Sequence, residues 1–92
     1  MKQINNVVII GRKWFDKING NTYHSAQVII NGGEMNIRSN RQYGYGDSYI
    51  TTATELLIDN DYSRDNMARD DLRNWLKCNA IVECFNVNKR DL

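Results

Sequence analysis

Two short glycine signals constrain this chain more than any other feature: "INGNT" at 18–22 and "NGGE" at 31–34. Around and between them, "NVVIIGRKWF" (6–15), "TYHSAQVIIN" (22–31) and "EMNIRSNRQ" (34–42) read as strands. Asn-Gly is the strongest short hairpin signal, because both central residues of a type I′ turn need φ > 0. The spacing therefore predicts a three-strand antiparallel meander. With Asn19-Gly20 as the first loop, Phe15 pairs with His24, Lys13 with Ala26, Gly11 with Val28 and Ile9 with Ile30. With Gly32-Gly33 as the second, Ile30 pairs with Met35 and Val28 with Ile37.

Directly paired residues share a face. One face thus collects Val7, Ile9, Phe15, Ala26, Val28, Ile30, Met35 and Ile37. The other collects Arg12, Trp14, Asp16, Tyr23, Ser25, Gln27, Asn36, Arg38 and Asn40. The two turns, placed independently, sort the residues the same way. Trp14 is expected to look outward and Phe15 into the core.

Beyond residue 42 the pattern changes from period two to helical. Asp47 or Ser48 can cap a helix through "SYITTATELLIDN", with Ile50, Ala53, Leu56 and Leu57 as its apolar stripe. Ser63 offers a second cap, for a helix over 64–78 that buries Met67, Ala68, Leu72, Trp75 and Leu76. Asn79 suits a left-handed exit from it. "AIVECFNVN" (80–88) is a last strand, apolar on both faces, expected to pair antiparallel at a sheet edge. The fold class is α+β: an antiparallel three- to four-stranded sheet in the order βββααβ, with two helices on one face. At 92 residues the chain is one domain spanning 1–92 with a small core, burying about 60–65% of its unfolded surface.

Twelve Lys or Arg against eleven Asp or Glu leave a formal charge of +1, which argues against long-range steering to a nucleic-acid backbone but not against a local basic patch. Nothing approaches 18 consecutive apolar residues, so no membrane span is expected, and the four-residue apolar run near the N-terminus is too short for a signal-peptide core. A cytoplasmic protein follows. Cys78 and Cys84 cannot supply a four-ligand metal site and read as reduced packing residues. No metal or cofactor is expected.

The hairpin carries the densest chemistry. Arg12, Trp14 and Tyr23 share the face without an apolar continuation, beside Arg38; Arg41, Tyr43 and Tyr45 stand at its rim. Lys13 adjoins them in sequence, and the basic tail, Lys89 and Arg90, extends the patch if the last strand lies beside the first. Exposed aromatics among cationic side chains suit a protein contact or a single-stranded nucleic acid, since flat rings bury area at low entropy cost and bases stack on them. The bland alternative is that Trp14 is folded under the last strand or the 42–47 loop.

His24 is the one histidine, and at the edge of the apolar face a hydrogen-bonded structural role is the commoner one. No nucleophile, base and orienting carboxylate assemble around it, so no catalytic residue is assigned. "DNDYSRDNMARD" (59–70) loosely imitates a calcium loop, yet Arg64 stands where glycine is required and Asp70 where glutamate is usual; a solvated loop is the better reading. "QYGYGDS" lacks a lysine–hydroxyl pair, which leaves it a weak phosphate cradle and more simply a tight loop lidding the core.

"GRKWFDKINGNTYHS", "YGYGDSYITTATELL" and the terminal "VNKRDL" together resemble a family of small uncharacterised proteins of tailed bacteriophages and prophages. That resemblance spans nearly the whole chain and implies a viral accessory protein acting in the host bacterial cytoplasm. By analogy it implies an inhibitor of the counter-defence (anti-CRISPR-like) kind, blocking a host protein or ribonucleoprotein complex. Two other readings use the same residues: a nucleic-acid-binding accessory protein, and a protein sequestering a small nucleotide in the Gly-Tyr loop. The oligomeric state is open, a homodimer included.

Overall fold

The computed structural model describes residues 2–92. β1 (Lys2–Gln3) leads into β2 (Val7–Asp16), β3 (Asn21–Ile30), β4 (Met35–Arg38) and β5 (Gln42–Tyr43). Then come α1 (Ser48–Asp59), β6 (Tyr62–Ser63), α2 (Arg69–Asn79), β7 (Ile81–Asn86) and a 3₁₀ turn, Lys89–Asp91. The main sheet runs β4-β3-β2-β7, with β5 also on β3; β1 and β6 form a separate parallel pair. The fold is α+β, with the sheet partly parallel.

The second turn pairs as expected, Ile30 with Met35 and Val28 with Ile37. The first does not. Asp16 pairs with Asn21, so the loop is four residues and every β2–β3 pair lies two residues from the expected register: Phe15 faces Thr22, and Lys13 faces His24. Asp16 is the cause. Its carboxylate accepts from the amides of Ile18 (3.0 Å) and Asn19 (3.3 Å) and from the Asn19 side chain (2.8 Å). This Asx-type cap closes a wider loop in which Gly20, at φ +69°, is left-handed while Asn19 is not, so a type I′ turn does not form. The Asn19 side chain first, then the turn amides and Lys89, hold the Asp16 carboxyl below its usual range.

A slip of two residues leaves every side chain on its expected face. Val7, Ile9, Ala26, Val28 and Ile30 are buried against Ile50, Ala53 and Leu57 of α1 and Leu72 and Leu76 of α2. Phe15 points to that same side but is 53% exposed, because the helices do not extend over the hairpin tip. The expectation that it sits in the core is corrected. At the strand centre Gly11 is buried under Tyr49, whose ring carbons lie 2.6 Å from where a β-carbon would stand.

The helices are laced antiparallel at four-residue steps. Arg69 pairs with Glu55 (2.5 Å), Arg73 donates to Thr51 (2.6 Å), and Arg73 and Lys77 share Asp47 (3.3 and 3.1 Å). Asp47 occupies the N-cap position of α1 without a side-chain cap bond, its oxygens being taken by α2. Hydrogen bonding to Lys77 is the main reason its carboxyl is held low. α2 begins at Arg69, not at 64, because Asp65 and Asn66 are left-handed and Ser63 is buried in β6 rather than capping a helix. It ends at Asn79 without a left-handed exit, Ala80 being extended.

β7 is an edge strand but runs parallel to β2, Val8 opposite Ile81 and Lys13 opposite Asn86. Asn79 and Ile81 line the same surface cavity as Asn5–Val8, so the chain leaves α2 beside the start of β2 and must run the same way. Two helices supply the long crossover that parallel pairing requires. Cys78 and Cys84 are both free and exposed, not packing residues.

Candidate functional site: the open sheet face

The helices cover one side of the sheet; the other carries the expected platform. Trp14 and Tyr23 are cross-strand neighbours with rings stacked at 5.9 Å. A bulge adds Tyr43. Between Arg38 opposite Gln27 and Gln42 opposite His24 the edge strand holds one residue more than continuous pairing allows. Ser39 fills the gap, its amide donating to Ala26 O and its hydroxyl accepting from Ala26 N. One extra residue reverses the facing of everything after it, so Tyr43 lies opposite Tyr23 on the open side, edge-on at 5.7 Å.

Cations frame these rings. The Arg41 guanidinium lies 5.5 Å from the Tyr23 ring centre, and the Lys89 ammonium 5.5 Å from that of Trp14. Arg12 donates to Gln27 (3.0 Å), which in turn donates to Asn36 (2.7 Å). Arg38 donates to the Asp91 carbonyl (2.6 Å). Burial, and to a lesser degree the charge of Arg38, pull the Arg12 guanidinium below its ordinary value.

The chain after β7 stays exposed but is fastened to the sheet. Val87 donates to Lys13 O (2.8 Å), and the 3₁₀ turn lies on the open face against Trp14 and Arg38. Between this turn and the bulge is a cavity of about 630 Å³ lined by Arg41, Asn88, Lys89 and Arg90. Toward β7 the same face becomes largely apolar, interrupted by the exposed Glu83 opposite Ile10: Val8, Ile10 and Ile29 are partly buried, while Ile81 and Phe85 are 66% and 48% exposed.

Of the ten residues expected to form a contact surface, eight meet here: Arg12, Trp14, Tyr23, Arg38, Arg41, Tyr43, Lys89 and Arg90. Lys13 does not. It belongs to the helix side, where its ammonium donates to Gly46 O (3.4 Å). Tyr45 is 75% exposed in the loop before α1, away from the aromatic cluster. Neither Tyr43 nor Tyr45 lids the core. Asn88 and the apolar strip on β7 escaped the sequence reading, since a strand apolar on both faces gives no period to read.

His24 is buried and bridges two elements, 3.1 Å from the Gly44 carbonyl and 2.6 Å from the Thr52 hydroxyl. A carbonyl only accepts, so Nδ1–H donates to Gly44, while Nε2 shares a hydrogen bond with the Thr52 hydroxyl. Both nitrogens are engaged in fastening the Gly-Tyr loop to α1. The acidic stretch 59–70 gathers no metal site: among the described residues no three His, Cys, Asp or Glu are grouped to hold an ion. No helix among them is long and apolar enough to cross a membrane.

Charge is divided between the layers. Residues 47–77 carry seven of the eleven acids but four of the twelve bases, and those four (Arg64, Arg69, Arg73 and Lys77) are the cations that form ion pairs among the described residues. Arg12, Arg38, Arg41, Lys89 and Arg90 have no carboxylate within ion-pair distance among the described residues. Comparison with known families, with characterised proteins and with solved structures finds no match to this chain.

Proposed function

We propose that this chain is a non-enzymatic accessory protein of phage origin whose open sheet face blocks a host defence complex, a protein or ribonucleoprotein, by occupying a site on it in the bacterial cytoplasm. One observation carries the reading: five cations without an ion pair surround three aromatics, Trp14 and Tyr43 each packed on Tyr23, on one face of the sheet. Like charges held together without a paired carboxylate repel one another in the free protein, even with Asp16 near Lys89, and an anionic partner relieves that repulsion. The aromatics add area that is already ordered before contact. A phage origin is supported by the three motifs quoted above, and counter-defence by analogy with other small phage proteins. A non-catalytic role is supported by His24, whose two nitrogens are both engaged in structural bonds.

The test is capture of host complexes by the purified protein and by Arg12→Glu and Trp14→Ala variants whose circular dichroism is native. Both variants are expected to lose the partner. Capture that survives both changes and is lost instead when Arg69 or Lys77 on the helices is reversed would refute the reading.

A further inference from the structure

We propose that the cationic half of the open face binds single-stranded nucleic acid, with Arg41, Lys89 and Arg90 on the phosphates and Tyr43 presenting its ring plane to an unpaired base. This rests on the reading of that face as the contact surface and names the chemistry it contacts. The cavity between the 3₁₀ turn and the bulge is lined by three cations and one amide, with no acid. The hollow is open and lined mainly by the apolar stems of these side chains, and their three positive charges favour a phosphodiester at its mouth. Arg12 and Arg38 continue the positive track across the sheet, each fixed by a bond to a neutral acceptor, Gln27 and the Asp91 carbonyl, rather than by a counter-charge.

Tyr43 supplies what a carboxylate-rich peptide would not use. Its ring is 67% exposed, and its edge-on contact with Tyr23 sets its orientation while leaving a plane open. Bases stack on such a plane only when unpaired, which excludes a duplex. Phosphate and base plane are common to RNA and DNA, so the sugar does not enter the recognition.

The experiment measures fluorescence anisotropy of labelled oligo(U) and oligo(dT) of about 12 nucleotides, with a duplex and polyglutamate as competitors. The two single strands should bind alike, and the competitors at least tenfold more weakly. Three phosphate contacts give a slope of log affinity on log salt of about −2, roughly a fifteenfold loss between 50 and 200 mM. Arg41→Glu with Arg90→Glu should abolish binding. Tyr43→Ala should weaken it about tenfold at an unchanged salt slope, and Tyr43→Phe should retain it. Polyglutamate competing as well as a single strand, or Tyr43→Ala binding as tightly as the parent, overturns the proposal. If oligonucleotides do not bind but host-protein capture persists after nuclease treatment and stays sensitive to Arg12→Glu, this inference falls and the broader one stands. Loss of both results overturns both.

Discussion

Helix α1 is seated on the sheet at one point that tolerates no side chain, and an alanine there measures how firmly. Gly11 lies under Tyr49, and an added β-carbon would stand 2.6 Å from both Cγ and Cδ2 of the ring. Cγ is close to the helix backbone, so the ring cannot swing clear; either the helix lifts or the strand bends. Overpacking of this kind costs about 1–3 kcal/mol. Against it, replacing glycine in a strand recovers about 0.4–1 kcal/mol of unfolded-chain entropy. The net expectation for Gly11→Ala is a loss of about 1–2 kcal/mol. Urea denaturation followed by tryptophan fluorescence reads this as a midpoint lowered by about 1–2 M, at an m-value of roughly 1 kcal/mol/M.

A second change makes the reasoning specific. Tyr49→Ala is costly alone, about 3–5 kcal/mol for a buried aromatic, but it removes the atoms that the new methyl group on β2 would strike. In the double variant the penalties should therefore fall short of their sum by about 1–2 kcal/mol. A Gly11→Ala protein as stable as the parent would refute the seating of Tyr49 on β2. So would two penalties that add to within about 0.5 kcal/mol.

Two further outcomes follow from burial and bonding. Trp14→Ala should destabilise more than Phe15→Ala, by thermal or urea unfolding: about 1–2 kcal/mol for a partly buried ring stacked on Tyr23, against about 1 kcal/mol for a ring 53% exposed; Phe15→Ala costing more would mean the helices reach the tip. Burial first, and then the Glu34 carboxylate that accepts its hydroxyl (2.9 Å), raise Tyr62 above its ordinary value. The fold thus favours the protonated phenol, so the contribution is whole below about pH 10 and is lost as pH rises through the raised folded value. Urea midpoints should fall more steeply above about pH 10 in the parent than in Tyr62→Phe.

The faces of the sheet are legible in the sequence because an error of two residues does not change them. Parity is the same in either register of the first turn, and with it the separation of Ile9 and Val28 from Trp14 and Tyr23. What parity cannot supply is where the covering layer stops, and so it puts Phe15 on the right face and at the wrong depth. The true loop has a readable sign, since Asp16 stands where its carboxylate reaches the amides two and three residues on. The bulge that turns Tyr43 outward is a single inserted residue with no compositional mark, and the β1–β6 pair is too short to have a period. The direction of β7 is hidden for a different reason. A strand apolar on both faces fits either orientation, and where α2 ends decides between them.

A formal charge of +1 argues against a nucleic-acid surface only if the charges of the whole molecule act together, and here they do not. Residues 47–77 carry −3 and the rest of the chain +4. The acids of the helical layer lie on the far side of the sheet from Arg41, Lys89 and Arg90, in a molecule whose smallest extent is 20 Å. The screening length at physiological salt is about 8 Å, so the acids of α1 and α2 are more than a screening length from a ligand on the open face. Their own neighbours, Arg69, Arg73 and Lys77, reduce their field further. An anion approaching the rings of Tyr23 and Tyr43 therefore meets the local cations rather than the net charge, and the near-neutral total acts instead to keep association slow and unsteered at long range. On the proposal above, contact, once made, would depend on fit to the hollow beside Asn88 and on the ring planes. For this reason charge reversal at Arg41 should act mainly on how long a ligand stays, and less on how fast it arrives.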